Sequence, residues 1–350
     1  MDLNSLKLDE LKEIMLKYNA KAFRANQIYN FFHKQGRVDL ENSNLPKDLV
    51  KSLRDNETIG AAKIIETYES KIDDTKKFLF KLNDGNIIEG VLMKYHHGYS
   101  QCISTQVGCR MGCVFCASTK GGLVRNLETS EILSQVYEVE NKYNINVSNL
   151  IIMGCGEPLD NFDNLIRFLE IIHSEGGKNI SYRNITVSTC GVVDKIYELG
   201  KINLPITLAI SLHNTDNKSR DELMPINKKY NIENLIKSCK DYSNMTGSRI
   251  TFEYTLISGQ NDSDKNVEEL VKLLKGFKNH INLIPLNPIE EYEKERPSLK
   301  DVKAFKKKLE SNNLNVTIRR ELGQDIKASC GQLRRNYEGG GNVEIFRRNK

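Results

Sequence analysis

Apolar residues recur at helical spacing from the start of the chain. Leu8, Leu11, Met15 and Tyr18 form one stripe, and Ile28, Phe31 and Phe32 a second that stops before Gly36. Residues 1–58 are therefore expected to form a small helical domain. From Ala61 to Tyr95 the pattern turns strand-like. Two runs, 77–82 and 86–93, flank Asn83-Asp84-Gly85, a sequence suited to a tight turn, and predict a β-hairpin linker over 59–95. From Gln101 onward short β-rich runs alternate with amphipathic stretches. Strands are expected at 101–106, 149–154, 184–189, 206–212, 249–257, 280–286 and 315–319. Between them Ile232, Leu235, Ile236 and Cys239 fall at i, i+3, i+4 and i+7, as do Val267, Leu270, Val271 and Leu274. This alternation predicts an α/β fold with a parallel sheet, and six or seven such units over 96–333 predict a barrel or partial barrel. In such folds chemistry sits at the C-terminal ends of the strands. Residues 334–350, with Gly339 to Gly341 and Arg334, Arg335, Arg347, Arg348 and Lys350, read as a flexible basic tail.

Composition adds three constraints. With 39% hydrophobic and 28% charged residues, seven prolines and 23 glycines, the 350-residue chain is globular rather than disordered or collagen-like. Its longest apolar stretches, 149–154 and 204–212, fall far short of the ~18 residues of a membrane span, and no signal-peptide pattern opens the chain, so a cytoplasmic protein with no membrane partner is expected. The formal charge of +5 permits a nucleic-acid partner without establishing one. Lys17, Lys21, Arg24, His33, Lys34 and Arg37 could meet a phosphate backbone, although a solvated polar face accounts for them as well. Eight cysteines in a large chain without a secretory signal point to metal binding or thiol chemistry rather than a disulfide framework.

Three of them, Cys109, Cys113 and Cys116, form Cys-x3-Cys-x2-Cys directly after the first expected barrel strand. A closed zinc site takes four ligands in paired groups, and no second pair matches here. Three thiolates suit an iron-sulfur cubane better, because such clusters ordinarily take four, and the missing one leaves an iron open to an outside ligand. In this triplet the sequence resembles the radical S-adenosylmethionine superfamily. That resemblance implies a partial (β/α)6 TIM-like barrel and a [4Fe-4S] cluster whose open iron binds S-adenosylmethionine. An electron from the reduced cluster would cleave this ligand to methionine and a 5′-deoxyadenosyl radical. Phe115, inside the triplet, fits the aromatic common at that place.

Gly154-Cys155-Gly156-Glu157-Pro158 follows an expected strand. A glycine-rich turn there lets backbone approach a ligand, and Glu157 could accept a hydrogen bond from an ammonium. Read after the triplet, the turn resembles the Gly-Gly-Glu-Pro element of the superfamily, with Gly156 and Glu157 as ligand contacts. Ser188, Ser211, Leu212, His213 and Asn287 follow later strands and would complete the S-adenosylmethionine site; helix capping or loop hydrogen bonding would also account for them. Cys155, Cys190 and Cys239 read as packing residues, and His96, His97 and His173 receive no catalytic role.

Two thiols remain, Cys102 and Cys330. Gln101-Cys-Ile-Ser-Thr-Gln-Val-Gly-Cys109, Gly121-Gly-Leu-Val-Arg-Asn126, Leu208-Ala-Ile-Ser-Leu-His213 and Ala328-Ser-Cys-Gly-Gln-Leu333 closely resemble the RlmN family of dual-specificity RNA methyltransferases. The family's reaction is methylation of adenine C2 in 23S rRNA and at adenosine 37 of certain tRNAs. Carbon C2 lies between two ring nitrogens, is electron-poor and cannot attack an electrophilic methyl. By resemblance Cys330 takes a methyl from one S-adenosylmethionine, and a second, the other of two per turnover, supplies the radical that activates it. The same resemblance implies that Cys102 resolves the resulting enzyme-RNA adduct through a transient disulfide with Cys330 and that Glu89 serves as proton acceptor. A flavodoxin-type or ferredoxin-type donor is implied, and a monomer is expected. The nearest rival is a Cfr-like adenine-C8 methyltransferase, against which Pro158 speaks, since Cfr proteins carry alanine there. A non-catalytic iron-sulfur or zinc RNA-binding protein would leave Cys102, Cys330 and the glycine turn idle.

Overall fold

The structure is a computed structural model and describes residues 2–333. The expected basic tail, 334–350, lies outside the described residues. Helices α1 (Leu8–Lys17), α2 (Phe23–Tyr29) and α3 (Lys47–Asn56) open the chain. They follow the apolar stripes, since Leu11, Met15, Ile28 and Leu53 are fully buried. After α2 the helix widens into a π-turn over Asn30–Lys34, which turns Phe32 and His33 inward.

Ten strands form one sheet. Strands β1 (Ala62–Glu69), β2 (Lys76–Leu82) and β3 (Ile87–Tyr95) are an antiparallel meander, and β3 pairs antiparallel with β4 (Gly98–Cys102). From β4 onward the neighbours β7 (Val147–Ile152), β8 (Ile185–Thr189), β9 (Thr207–Ser211), β10 (Ile250–Leu256), β11 (Asn279–Pro285) and β12 (Val316–Ile318) run parallel in chain order. Helices α4 (Thr129–Tyr143), α5 (Phe162–His173), α6 (Val193–Ile202), α7 (Asn217–Leu223), α8 (Ile232–Thr246), α9 (Asp264–Leu274) and α10 (Leu299–Ser311) fill the crossovers. Among the described residues the sheet ends at β1 and β12, which do not pair, so the barrel they form is open. Strand β10 is buried along its whole length, as a parallel strand covered on both faces must be.

The sequence pattern differs from this architecture in three places. The linker hairpin is a three-stranded meander continuous with the barrel sheet. The strand expected at 101–106 begins at Gly98 and leaves the sheet after Cys102. Ser104 there donates its hydroxyl to the Glu89 carbonyl (2.7 Å) and its amide to Gln135 Oε1 (2.9 Å), side-chain bonds that draw the backbone out of the ladder. Beyond it β5 (Gln106–Gly108) and β6 (Leu123–Asn126) form a separate small hairpin that frames residues 109–122.

The helical part does not stand apart from the barrel. Its apolar residues belong to the same core cluster as those of the sheet, and the Tyr29 hydroxyl shares a 2.7 Å hydrogen bond with Ser174 Oγ. His33 is wholly buried in this seam, with Nδ1 3.1 Å from the Tyr137 hydroxyl. Burial lowers its pKa from 6.5 to about 3. Between those values the unfolded chain holds a proton on this ring and the native chain does not. Stability present above pH 6.5 is therefore lost as pH falls toward 3, by about 1.4 kcal/mol per pH unit from this group. His33→Phe should remove that share of the slope. Urea unfolding between about pH 6 and about pH 4 checks this, and an unchanged slope would refute it.

Candidate active site

The C-terminal ends of the parallel strands surround one cavity, and the cysteine triplet lies in its wall. Cys109 follows β5, and its amide donates to the Gly122 carbonyl across the small hairpin (3.1 Å). Cys109 and Cys113 are buried and Cys116 half-buried. Burial raises all three thiols, that of Cys113 to about 12, so without a metal they are held as neutral thiols. Among the described residues no group of three or more His, Cys, Asp or Glu is arranged to hold a single metal ion. The three sulfurs line a concave wall instead, a donor set suited to a body as broad as a cubane, with one corner left to a ligand in the cavity.

Cys330 lines the same cavity. Residues 319–333 bring it there by running from the β12 edge to the β1–β2 turn and on to the cysteine loop. Asp325 accepts from Ser70 Oγ (2.7 Å) and the Lys71 amide (2.8 Å), and Asp73 from the Gly323 amide (3.0 Å). The Gly331 carbonyl then accepts from the Ala117 amide (2.7 Å), and the Leu333 carbonyl from Ser118 Oγ (2.7 Å). Cys102, at the end of β4, is packed with Val91 and Leu333 beneath that segment. Burial pushes its thiol up to about 12, the charge of Cys330 pushes the same way, and Arg319 opposes both. Both thiols are free, so the expected disulfide is not formed in this structure.

Gly156, Glu157, Ser188, Ser211, His213 and Asn287 all line the cavity. Leu212 is the exception, because its side chain is fully buried in the hydrophobic core. The turn after β7 needs its glycines: a Cβ on Gly154 would lie 2.6 Å from the Ile103 carbonyl, and one on Gly156, at φ +113°, 2.7 Å from Gln106 Cβ. The buried Glu157 carboxylate accepts from the Leu159 amide (3.0 Å) and the Cys190 amide (2.7 Å), tying the end of β7 to the end of β8. Burial raises its pKa and these bonds oppose the rise. His213 adopts a left-handed φ of +55°. Its Nδ1 accepts the Thr255 amide (2.9 Å), which leaves the proton on Nε2, and burial lowers its pKa to about 3, so the ring is a neutral donor. Asn287 Nδ2 donates to the Cys330 carbonyl (3.0 Å) and so touches the loop that bears Cys330.

Glu89 does not line the cavity. It is buried on β3 behind the wall, 3.3 Å from Lys77 Nζ, in an ion pair. Residues that sequence reasoning missed line the cavity as well, among them Glu253, Thr255, Met224, Cys190 and Arg319. Arg319 donates to Met153 Sδ (3.1 Å) and Glu253 Oε2 (3.3 Å). The available signals were a charged residue between the aromatic residues Phe252 and Tyr254 of β10 and a pair of arginines just past β12.

Comparison with known proteins agrees with this geometry. Residues 103–274 match the Radical SAM superfamily. The chain is 49% identical over 337 residues to a protein of Lachnospira eligens described as a probable dual-specificity RNA methyltransferase RlmN, covering 96% of each. It is 52% identical over 331 residues to the protein of that description from Clostridium beijerinckii, covering 94% of each. The crystal structure of a radical SAM methyltransferase from Sphaerobacter thermophilus superposes with a TM-score of 0.92 at 39% identity, over 96% of this chain and 100% of that one. Among the described residues no helix is long and apolar enough to cross a membrane. Three thiols on a loop at the mouth of an open parallel barrel, a fourth brought to the same cavity and relatives matched over nearly their full length place the chain in the RlmN family of radical SAM RNA methyltransferases.

Proposed function

We propose that this enzyme methylates C2 of adenine in 23S rRNA and at adenosine 37 of tRNA, with Cys330 as the methyl carrier and two S-adenosylmethionine molecules consumed per turnover. The observation that carries the reading is that Cys330 and the Cys109, Cys113 and Cys116 triplet line one cavity. When bound, the cluster and S-adenosylmethionine would supply one-electron cleavage to a 5′-deoxyadenosyl radical, a species able to take hydrogen from an unactivated methyl group.

The chain's own residues do the rest. Cys330, half-exposed at the cavity, loses its thiol proton to solvent and attacks the sulfonium methyl of the first S-adenosylmethionine; the methyl–sulfonium bond breaks, S-adenosylhomocysteine leaves and Cys330 becomes S-methylcysteine. Hydrogen abstraction then leaves a carbon radical on that sulfur, which adds to adenine C2. Loss of the C2 proton, which we assign to Glu89 as acceptor, and of one electron, which the oxidised cluster would take back, leaves a thioether between Cys330 and the base. Cys102 attacks the Cys330 sulfur; the disulfide forms, the sulfur-carbon bond breaks, and the released methylene takes up a proton to become the methyl group. His213 as a neutral donor, with Ser188, Ser211 and Asn287, supplies polar groups for S-adenosylmethionine, while Gly156 and Glu157 shape the turn beside it. An external one-electron donor of flavodoxin or ferredoxin type and a thiol reductant complete the cycle.

The test is product analysis. The protein reconstituted anaerobically with iron and sulfide, then given S-adenosylmethionine, a low-potential reductant and 23S rRNA or tRNA, should release 5′-deoxyadenosine and yield adenosine methylated at C2. Methylation at C8 would favour the Cfr-like activity, and no 5′-deoxyadenosine would contradict a radical enzyme altogether.

A further inference from the structure

Arg220, on α7, is wholly buried, yet no salt bridge among the described residues involves it. Buried cations are ordinarily paired, because an ion removed from water needs a counter-charge. Its guanidinium is satisfied by neutral acceptors instead. Nε donates to the Leu212 carbonyl (3.0 Å), Nη1 to Asn227 Oδ1 (2.8 Å), and Nη2 to the carbonyls of Cys190 (2.9 Å) and Ser211 (3.0 Å). A carboxylate is reached only through a relay, as Asn227 Nδ2 donates to Asp221 Oδ1 (2.8 Å). Three of the four acceptors are main-chain atoms at the ends of β8 and β9, where Ser211 and Cys190 line the cavity.

The other side of Arg220 leads to the cysteine loop. Its carbonyl accepts from the Met224 amide (2.7 Å), and the neighbouring Leu223 carbonyl from the Val114 amide (3.1 Å). Leu223 and Met224 pack against Cys113 and Cys190 in one small cluster. Cys190, whose carbonyl accepts from the guanidinium, packs in the same cluster as Cys113, so the buried charge stands beside the cysteine loop. A cubane held by three thiolates carries net negative charge, and gains more on reduction. Charge near such a cluster is one of the levers that set its reduction potential.

We propose that Arg220 is a positioning residue whose buried positive charge, fixed by the strand-end carbonyls of the S-adenosylmethionine rim, serves as counter-charge to the iron-sulfur cluster and raises its reduction potential. This rests on the radical SAM reading of the site. The four hydrogen bonds hold the charge in place, and its burial keeps solvent from screening it.

The measurement is the ratio of reduced to oxidised cluster at a fixed potential near the wild-type midpoint, read by electron paramagnetic resonance on the anaerobically reconstituted enzyme. Arg220→Met should lower that ratio about tenfold, equivalent to about 59 mV for a one-electron couple. Arg220→Lys keeps the charge but offers three donors to four acceptors. It should hold the ratio near wild type while weakening S-adenosylmethionine binding, a split that a purely structural role would not produce. Should Arg220→Met fail to assemble a cluster, the double variant Asn227→Asp with Asp221→Asn decides. It sets a carboxylate directly against Nη1 without changing the net charge of the chain, and should lower the ratio severalfold. A ratio within twofold of wild type in the double variant, or in a cluster-bearing Arg220→Met, would overturn the proposal. Failure of the wild-type chain itself to assemble a cluster would instead refute the reading on which it rests.

Discussion

Cys330→Ala should abolish methyl transfer to RNA, a loss of at least about a thousandfold, while leaving iron and sulfide content and the cluster spectrum unchanged. The first half follows from the target atom. Adenine C2 has no nucleophilic lone pair to offer, so no residual polar route remains once the carrier sulfur is gone. The second half follows from how the loop is held. Its bonds to the cysteine loop and to Asn287 use the carbonyls of Cys330, Gly331 and Leu333, together with Ser118 Oγ, and none uses the Cys330 sulfur. Removing the thiol therefore deletes chemistry without cutting the attachment. Full activity in this variant would refute the carrier role, and loss of the cluster would show that the loop is coupled to it more tightly than these bonds imply.

Cys102→Ala should convert a turning-over enzyme into a single-turnover trap, with a protein-RNA adduct that survives denaturation and approaches one RNA per protein. Cys102 lies beneath the Cys330 segment beside Val91 and Leu333, which keeps other thiols and solvent from substituting for it. Its thiol is pushed up to about 12 by burial, then by the charge of Cys330, against the pull of Arg319. The adduct should be absent from the Cys102→Ala, Cys330→Ala double variant. Clean multiple turnover by Cys102→Ala would remove the resolving role.

Much of this was legible in the sequence because it is local. The seven parallel strands of the barrel lie within or near the expected runs, and β10 is buried along its whole length even though Thr251, Glu253 and Thr255 alternate with its apolar residues. The triplet at 109, 113 and 116 was readable because its ligands share one loop. What could not be read depends on distant partners. Ile103 to Gln106 look like the end of a strand, yet Ser104 bonds to Glu89 and Gln135, and the chain departs from the sheet. Glu157 reads as a ligand acceptor and is found already accepting two amides, one of them 33 positions away. Arg220 gave no pattern at all, and Arg319 only its place in a pair of arginines past a strand: the first meets carbonyls from two other strand ends, and the second meets Glu253 across the sheet. Glu89 was assigned by resemblance, and it is found buried on β3 in an ion pair with Lys77 rather than in the cavity lining.

The central claim is that the transferred carbon rests on Cys330 and loses one hydrogen there before it reaches RNA. Giving the enzyme S-adenosylmethionine with a fully deuterated methyl group, and weighing the methylated adenosine released, tests it most directly. A methyl group carrying two deuteriums and one hydrogen, with the third deuterium in 5′-deoxyadenosine, is the expected result after the first turnover. A product methyl that keeps all three deuteriums would mean direct transfer, and the account would be wrong.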